Sequence, residues 1–279
     1  FPQLVAGPIE RARDLIPQLN KKRFFVYENA KDGMRQILWG LFIKIVIADN
    51  LAPHVNEIFE NYNIQKGSTL VLGAIYNSVQ FYADFAGYSY IAIGIAKLLG
   101  VSLTRNFAYP FFSKNTRELW RRWHITFNTW VRDYIYYPLL NSQTNKWKKY
   151  ISVNIAFLIS GLWHGANWTY IVWGIVNGIY LSLNFFINPK NEIKETKSII
   201  NFLIFIKMLI LFSFPMIFVR CPDINSGLHY LGNIFSVSLF SIPDHKKVFF
   251  WLILLFSWEW VKRDKEHPLV FTKLNKLSR

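Results

Sequence analysis

Long apolar stretches alternate along this chain with short basic segments and with turns built on Pro and Gly. Residues 1–33 are mixed and rich in Pro, Lys and Arg, which reads as a polar connection with interfacial pieces. Ile37 to Leu51 is an apolar run with Lys44 inside it and Asp49 near its end, and it predicts a span. Ser68 to Ala96 carries Asp84 as its only charge. As one helix it would measure roughly 43 Å at 1.5 Å per residue, longer than one upright crossing requires. Gly87 offers a break, so the pattern predicts a span followed by a short tilted or re-entrant helix. Asn106 to Ser113, with Pro110, reads as a loop.

Thr116 to Tyr137 is spaced as one two-faced helix. Trp120, Trp123, Phe127, Trp130 and Tyr134 form an aromatic stripe, while Arg117, Arg121, His124, Asn128 and Arg132 form a polar one. Pro138 ends it. So many charges exclude contact with acyl chains, which places this helix at the interface or along a polar cavity. From Tyr150 to Pro189 no Asp, Glu, Lys or Arg occurs, and Gly165-Ala166-Asn167 divides this stretch into two arms, Tyr150–His164 and Trp168–Ile187. Their outer ends are basic, at Lys148-Lys149 and Lys190, as in a helical hairpin with both ends on the cytoplasmic side. Counted from Lys149, His164 lies about 22 Å along the first arm, within the roughly 30 Å hydrocarbon thickness. Ile199 to Val219, holding Lys207, predicts a further span. Asn225 to Phe240 reads as a short interfacial helix and Val248 to Val261 as a last, short span. The fold class is therefore all-α: a polytopic membrane bundle with interfacial or re-entrant helices, taken as a single membrane-embedded domain over 1–279.

Composition agrees with the pattern. The 279 residues are 52% hydrophobic and 18% aromatic, with mean hydropathy +0.17. The net charge of +15 would suit nucleic acid, but the cations cluster between apolar runs, where anionic lipid rather than nucleic acid is the expected partner. Cys221 is the only cysteine, so neither an intrachain disulfide nor a cysteine metal cage is available. No Gly-x-Ser-x-Gly elbow, phosphate loop, dinucleotide fingerprint or His-Glu-x-x-His helix occurs, and no metal site is expected. Position 1 is Phe, and no signal peptide opens the chain; a fragment lacking N-terminal spans is the expectation.

An ionisable side chain within a charge-free stretch reads as functional, and His164 is such a group. Two readings stand side by side. It packs as a polar link between helices, or it acts as a general base, because imidazole titrates near neutrality. Gly161 and Gly165 beside it allow close backbone approach, Asn167 is placed to orient a carbonyl or the imidazole, and Trp163 joins them as a substrate contact. His124 alone reads as a headgroup-facing residue; aligned with Arg117, Arg121 and Asn128 it suggests an anion-binding cavity for phosphates. Asp84 reads as a functional carboxylate or as the partner of Lys97 or Arg121. Lys44 and Lys207 read as snorkelling side chains, Cys221 as passive. His54, His229, His245 and His267 carry no assigned role.

In chain order, these residues resemble the membrane-bound O-acyltransferase superfamily, and most closely its alginate O-acetyltransferase branch. The resemblance rests on Phe1-Pro2-Gln3-Leu4-Val5-Ala6-Gly7-Pro8-Ile9, Ile47-Ala48-Asp49-Asn50-Leu51-Ala52 and Tyr82-Ala83-Asp84-Phe85-Ala86-Gly87-Tyr88-Ser89. It continues through Phe112-Ser113, Trp120-Arg121-Arg122-Trp123-His124-Ile125 and Arg132-Asp133-Tyr134, and closes on Gly161-Leu162-Trp163-His164-Gly165-Ala166-Asn167-Trp168. It implies a helical fold with a central funnel or tunnel, His164 as essential histidine, and His124 as its companion. It also implies a multi-pass protein of the bacterial cytoplasmic membrane. The expected reaction moves an acyl group, acetyl in the simplest case, from acetyl-CoA or another thioester to hydroxyls of an exported polysaccharide or envelope polymer. The acceptor would be reached directly or through an extracytoplasmic partner protein, with no permanently bound cofactor. Tyr90, where this branch often has Asp, and Leu139-Leu140-Asn141, in place of Leu-Gly-Gly, are departures that bear on the acceptor. The rival class is a transporter or channel using His164 and Asp84 as a relay; inverted repeats would favour it, and the sequence has none.

Overall fold

A computed structural model describes residues 7–141, 145–187 and 198–270. Residues 1–6 of the opening motif and the basic stretch 190–197 lie outside the described residues. Among the described residues every regular element is helical. A short amphipathic α1 (Ala12–Asn20) precedes α2 (Tyr27–Leu41), which runs through a π-helical turn at Phe42–Ala48 into α3 (Asp49–Glu60). This continuous rod is longer than the predicted span because its polar ends find partners. Asp32 accepts from Lys97 at 2.6 Å and lies 3.0 Å from His267 Nε2.

The antiparallel neighbour of this rod is α4 (Gly67–Leu98), which is unbroken. The expected break at Gly87 is thus corrected. Gly87 lies against Gly40, and Gly94 against Gly33, so the two rods meet backbone to backbone at positions one heptad apart. A Cβ on Gly87 would stand 2.9 Å from the Gly40 carbonyl oxygen; one on Gly94 would stand 2.6 Å from that of Gly33. Glycine serves here for close approach, not for bending. Gly87→Val should therefore overpack the seam and cost about 1–3 kcal/mol, read as a lower Tm in detergent. Gly232→Ala is the matched control, since a Cβ there has nothing within 4 Å.

The segment 101–113 follows α4, holds a single 3-10 turn at Pro110–Phe112, and is mostly buried from Asn106 onward. Phe107 and Phe111 enter the core, where Tyr82, Trp123 and Phe212 meet them edge-on or tilted. The predicted single helix 116–137 is corrected to pieces. α5 (Thr116–Arg122) starts where the Asn115 side chain accepts from Glu118 N at 2.9 Å. It stops at Trp123-His124, and α6 (Ile125–Val131), a π turn at Arg132–Tyr136 and α7 (Tyr137–Leu140) follow. The aromatic stripe is split accordingly: Trp120 and Trp123 are core, while Trp130 and Tyr134 are exposed.

The predicted hairpin is present as α8 (Lys146–His164) and α9 (Trp168–Ile187). A Cβ on Gly174 would stand 2.5 Å from the Phe157 carbonyl oxygen, and one on Gly161 would collide with the Tyr170 carbonyl oxygen. α10 (Ser198–Arg220), α11 (Ile224–Ile234) and α12 (Phe249–Lys262) complete the bundle. Lys207 is exposed, consistent with snorkelling. Among the described residues three helices are long and apolar enough to cross a membrane: Tyr27–Glu60, Trp168–Ile187 and Ser198–Arg220. Large apolar side chains such as Ile179, Leu183, Phe202, Leu203 and Ile210 face outward on α9 and α10, as lipid contact requires. Glu259 of α12 is buried, and Tyr82 Oη donates to it at 2.7 Å; its place in an otherwise apolar run gave no hint of this partner.

Candidate active site

The break at Trp123-His124 is the feature that builds the site. His124 adopts φ 40°, ψ 54°, the left-handed region that non-glycine residues enter at a cost of about 1–2 kcal/mol. Two bonds from segment 101–113 hold it there: Ile125 N donates to Asn106 O at 2.8 Å, and Ala108 N to Arg122 O at 2.9 Å. The carbonyls freed by the break are satisfied by Asn128, whose Nδ2 donates to Trp120 O at 3.0 Å and Trp123 O at 2.6 Å. The turn carries the His124 ring away from the arginines with which it was expected to align. Its ring is buried among Phe85, Phe107 and Phe127.

Asn106 fixes the state of that ring. Its Nδ2 donates to Ser89 Oγ at 3.0 Å, so Oδ1 is the acceptor, taking Thr126 Oγ1 at 2.9 Å. His124 Nδ1 lies 3.0 Å from the same oxygen and must carry the hydrogen. Nε2 is left with a free lone pair. In this tautomer His124 accepts a hydrogen bond and does not donate one at Nε2, so it suits orienting a hydroxyl better than stabilising negative charge.

His164 ends α8 and approaches from the opposite side. Its ring lies 5.0 Å from that of Trp163, 5.3 Å from Trp173 and 5.9 Å from Phe127, centroid to centroid. His124 and His164 line one cavity of about 30 Å³ with Phe85, Trp123, Tyr170 and Trp173. That is room for water-sized groups, hence for reacting atoms and not for a whole substrate. Trp163 packs at 4.4 Å on Phe127, supporting the pair from behind.

The arginine stripe survives as a separate feature. Arg117, Arg121, Arg132 and Lys149 line a second cavity of about 470 Å³, with Asn128 and Tyr136. Phe185 lies beneath two of these cations, 4.3 Å from Arg117 Cζ and 3.9 Å from Lys149 Nζ. The two cavities are neighbours: Ser160 lines the cationic one and His164, one helical turn later, the other. Trp120 and Phe157, 5.0 Å apart, stand in the cationic cavity's wall, with Trp173 packed behind them on the histidine side.

Two expected site residues have other work. Asp84 pairs with Lys44 at 2.8 Å, which also reaches Asp49 at 2.6 Å; neither Lys97 nor Arg121 is its partner, and Asp84 lines neither cavity. Lys44 is thus an ion-pair hub, not merely a snorkelling chain. Asn167 caps α9, accepting from Thr169 N at 3.1 Å and donating to Pro222 O at 3.0 Å, so its amide is turned away from the imidazole role expected of it. Tyr90, expected near a funnel, is buried in the core, and Asn141 takes the left-handed φ of 46° that ends α7. Burial pushes the Cys221 thiol up to about 11, in keeping with a passive role. Asn106, Lys149 and Tyr170 were missed. Lys149 had a signal, its place at the mouth of the charge-free hairpin; Asn106 had none beyond being polar in a loop.

Two histidines at one small cavity, beside a cationic one, thus stand in an all-helical bundle that has three helices of membrane-crossing length among the described residues. The chain belongs to the MBOAT, membrane-bound O-acyltransferase family, whose model matches residues 1–221. It is similar to a probable alginate O-acetylase of Azotobacter vinelandii, 39% identical over 183 residues, 66% of this chain and 36% of that protein. The peptidoglycan O-acetyltransferase of Helicobacter pylori is 38% identical over 191 residues, 66% of this chain and 35% of that protein. The teichoic acid D-alanyltransferase of Bacillus subtilis is 30% identical over 200 residues, 67% of this chain and 50% of that protein. The matches span about a third to a half of the length of these relatives.

Proposed function

We propose that the complete protein is an O-acyltransferase of the bacterial cytoplasmic membrane that moves an acyl group, acetyl in the simplest case, from a thioester to hydroxyls of an envelope polymer, directly or through an extracytoplasmic partner protein. The observation that carries this is the meeting of His124 and His164, forty residues apart in sequence, at one cavity. His164 takes the proton of the acceptor hydroxyl as its oxygen attacks the thioester carbonyl. The carbon–sulfur bond then breaks, and the imidazolium returns the proton to the departing thiolate. His124, through Nε2, holds the hydroxyl in line. The cationic cavity receives the anionic part of the donor, with Arg117, Arg121 and Lys149 as point contacts and its thioester end directed towards Ser160 and His164.

Sidedness supports the same reading. Asn167 bonds the Pro222 carbonyl, and Arg220 bonds Asn56, so the hairpin tip and the end of α10 point to the end of α3. The basic runs at 21–23 and 146–149, with Lys97 and Lys262-Arg263, then gather at the opposite end, which the positive-inside rule makes cytoplasmic. The donor cavity, lined by Lys149, opens towards that end. The relatives act, by their names, on alginate, peptidoglycan and teichoic acid, and a polymer hydroxyl is the acceptor proposed here.

Membranes carrying the complete protein should transfer label from a radiolabelled acyl thioester to polymer. Solute flux without transfer would replace this reading with the transporter. In the same assay Arg121→Ala should raise the donor KM by about 10- to 150-fold, the loss of one charged hydrogen bond of about 1.5–3 kcal/mol, with the acceptor KM unmoved. An unchanged donor KM would remove the anion from the cationic cavity.

A further inference from the structure

We propose that His54, Glu57 and His245 form a site for a divalent transition metal ion of the zinc type, which ties α3 to the segment leading into α12. His54 and Glu57 are three residues apart on α3 and so share one face. His245 arrives from 191 residues further on, and its Nδ1 lies 3.1 Å from His54 Nδ1. Two nitrogens bound to one tetrahedral zinc at 2.0–2.1 Å would stand about 3.3 Å apart, so the observed spacing is that of two ligands of one ion. Taking one ligand atom from each of His54, Glu57 and His245, all three lie within 4.8 Å of one another. Two imidazoles and a carboxylate favour zinc, nickel, cobalt or copper over magnesium or calcium, which prefer oxygen alone.

The backbone supplies an independent argument. His245 sits at φ 57°, ψ 13°, left-handed and costly for a residue with a Cβ. Three bonds from the start of α4 and the residue before it pin this corner: Tyr76 Oη donates to His245 O at 3.2 Å, Asp244 N to Thr69 Oγ1 at 3.0 Å, and Lys66 Nζ to Asp244 at 3.0 Å. A strained corner so anchored aims one imidazole at another. An N–H···N bond between the two rings, with Glu57 3.7 Å from His245 Nε2, is the metal-free alternative, and titration with zinc decides between the two. His245 lies beyond the family-matched residues 1–221, whereas His54 and Glu57 lie within them. The ion would therefore clamp α12 onto the family segment, at the end of the bundle opposite the basic runs 21–23 and 146–149. This site is independent of the acyl-transfer reading.

Full-length protein in detergent, stripped by a chelator, would be titrated with zinc chloride by calorimetry and scanned for Tm with and without zinc. One equivalent should bind and raise the Tm, as any ligand of the folded state does, while magnesium should do neither. His54→Gln and His245→Gln should each weaken binding by about tenfold or more and lose the Tm rise. Glu57→Gln should weaken binding less, and His229→Gln, an exposed histidine on α11, should behave as wild type. Absence of a stoichiometric site, or equal zinc binding in the His54 and His245 variants, overturns the proposal. Should those variants fail to fold, X-ray absorption of the zinc-loaded wild type decides: two imidazoles and an oxygen ligand support the site, and a shell without histidine overturns it.

Discussion

His164→Ala should lower acyl transfer by about 10²–10⁴-fold, the usual contribution of a positioned general base, and leave the amount of folded protein in the membrane unchanged. Both halves follow from the geometry. The ring closes α8 at its last residue and stays accessible, with aromatic neighbours as its contacts; among the described residues no hydrogen bond to it is found. Truncation thus leaves no buried donor or acceptor stranded, and the fold loses little. Transfer loses the only lone pair on α8 that faces the His124 cavity. Size-exclusion profile and Tm in detergent, measured beside label transfer, separate the outcomes. Near-normal transfer would remove the base assignment, and a collapse in folded protein would return His164 to the packing role of a polar helix link.

Much of this site was legible because hydropathy is a one-dimensional signal. A charge-free stretch interrupted by Gly165-Ala166-Asn167 specified the hairpin, and both arms end within a few residues of where the pattern put them. The aromatic and polar stripes of 116–137 misled for a definable reason. Helical spacing assumes unbroken rotation of about 100° per residue, and no residue between Thr116 and Tyr137 is a Pro or Gly that would advertise a break. The break is imposed from outside, by the backbone of Asn106 and Ala108 bonding across it. Tertiary contact overrode local propensity there, and His124 changed cavities as a result. Gly87 failed in the opposite sense. It looked like a breaker from its own neighbourhood, whereas its meaning lies in Gly40, 47 residues earlier, and only the packed pair reveals it.

Asn106→Ala should reduce turnover on the order of 10²-fold, within the range of losses that follow when a proton-transfer group is disturbed, although Asn106 lines neither cavity. It is a positioning residue. Its Oδ1 is the shared acceptor of His124 Nδ1 and Thr126 Oγ1, and Thr126 N approaches it at 3.4 Å. Removing it strands these buried donors at about 1–3 kcal/mol each, so the Tm should fall as well, and stability alone cannot decide the role. Two further measurements can. Nitrogen-15 spectra of the histidines in the folded protein should report Nδ1–H at His124 in the wild type and a mixture of tautomers in Asn106→Ala. Asn106→Asp keeps an oxygen in the same place and lets the Ser89 hydroxyl turn to donate in its stead, so it should retain Nδ1–H and more turnover than the alanine variant at matched Tm. The donor KM should move in neither, because the cationic cavity stands on Arg117, Arg121 and Lys149. Equal loss of turnover in the aspartate and alanine variants, with His124 unchanged in its spectrum, would break the link between the Asn106 oxygen and the histidine pair.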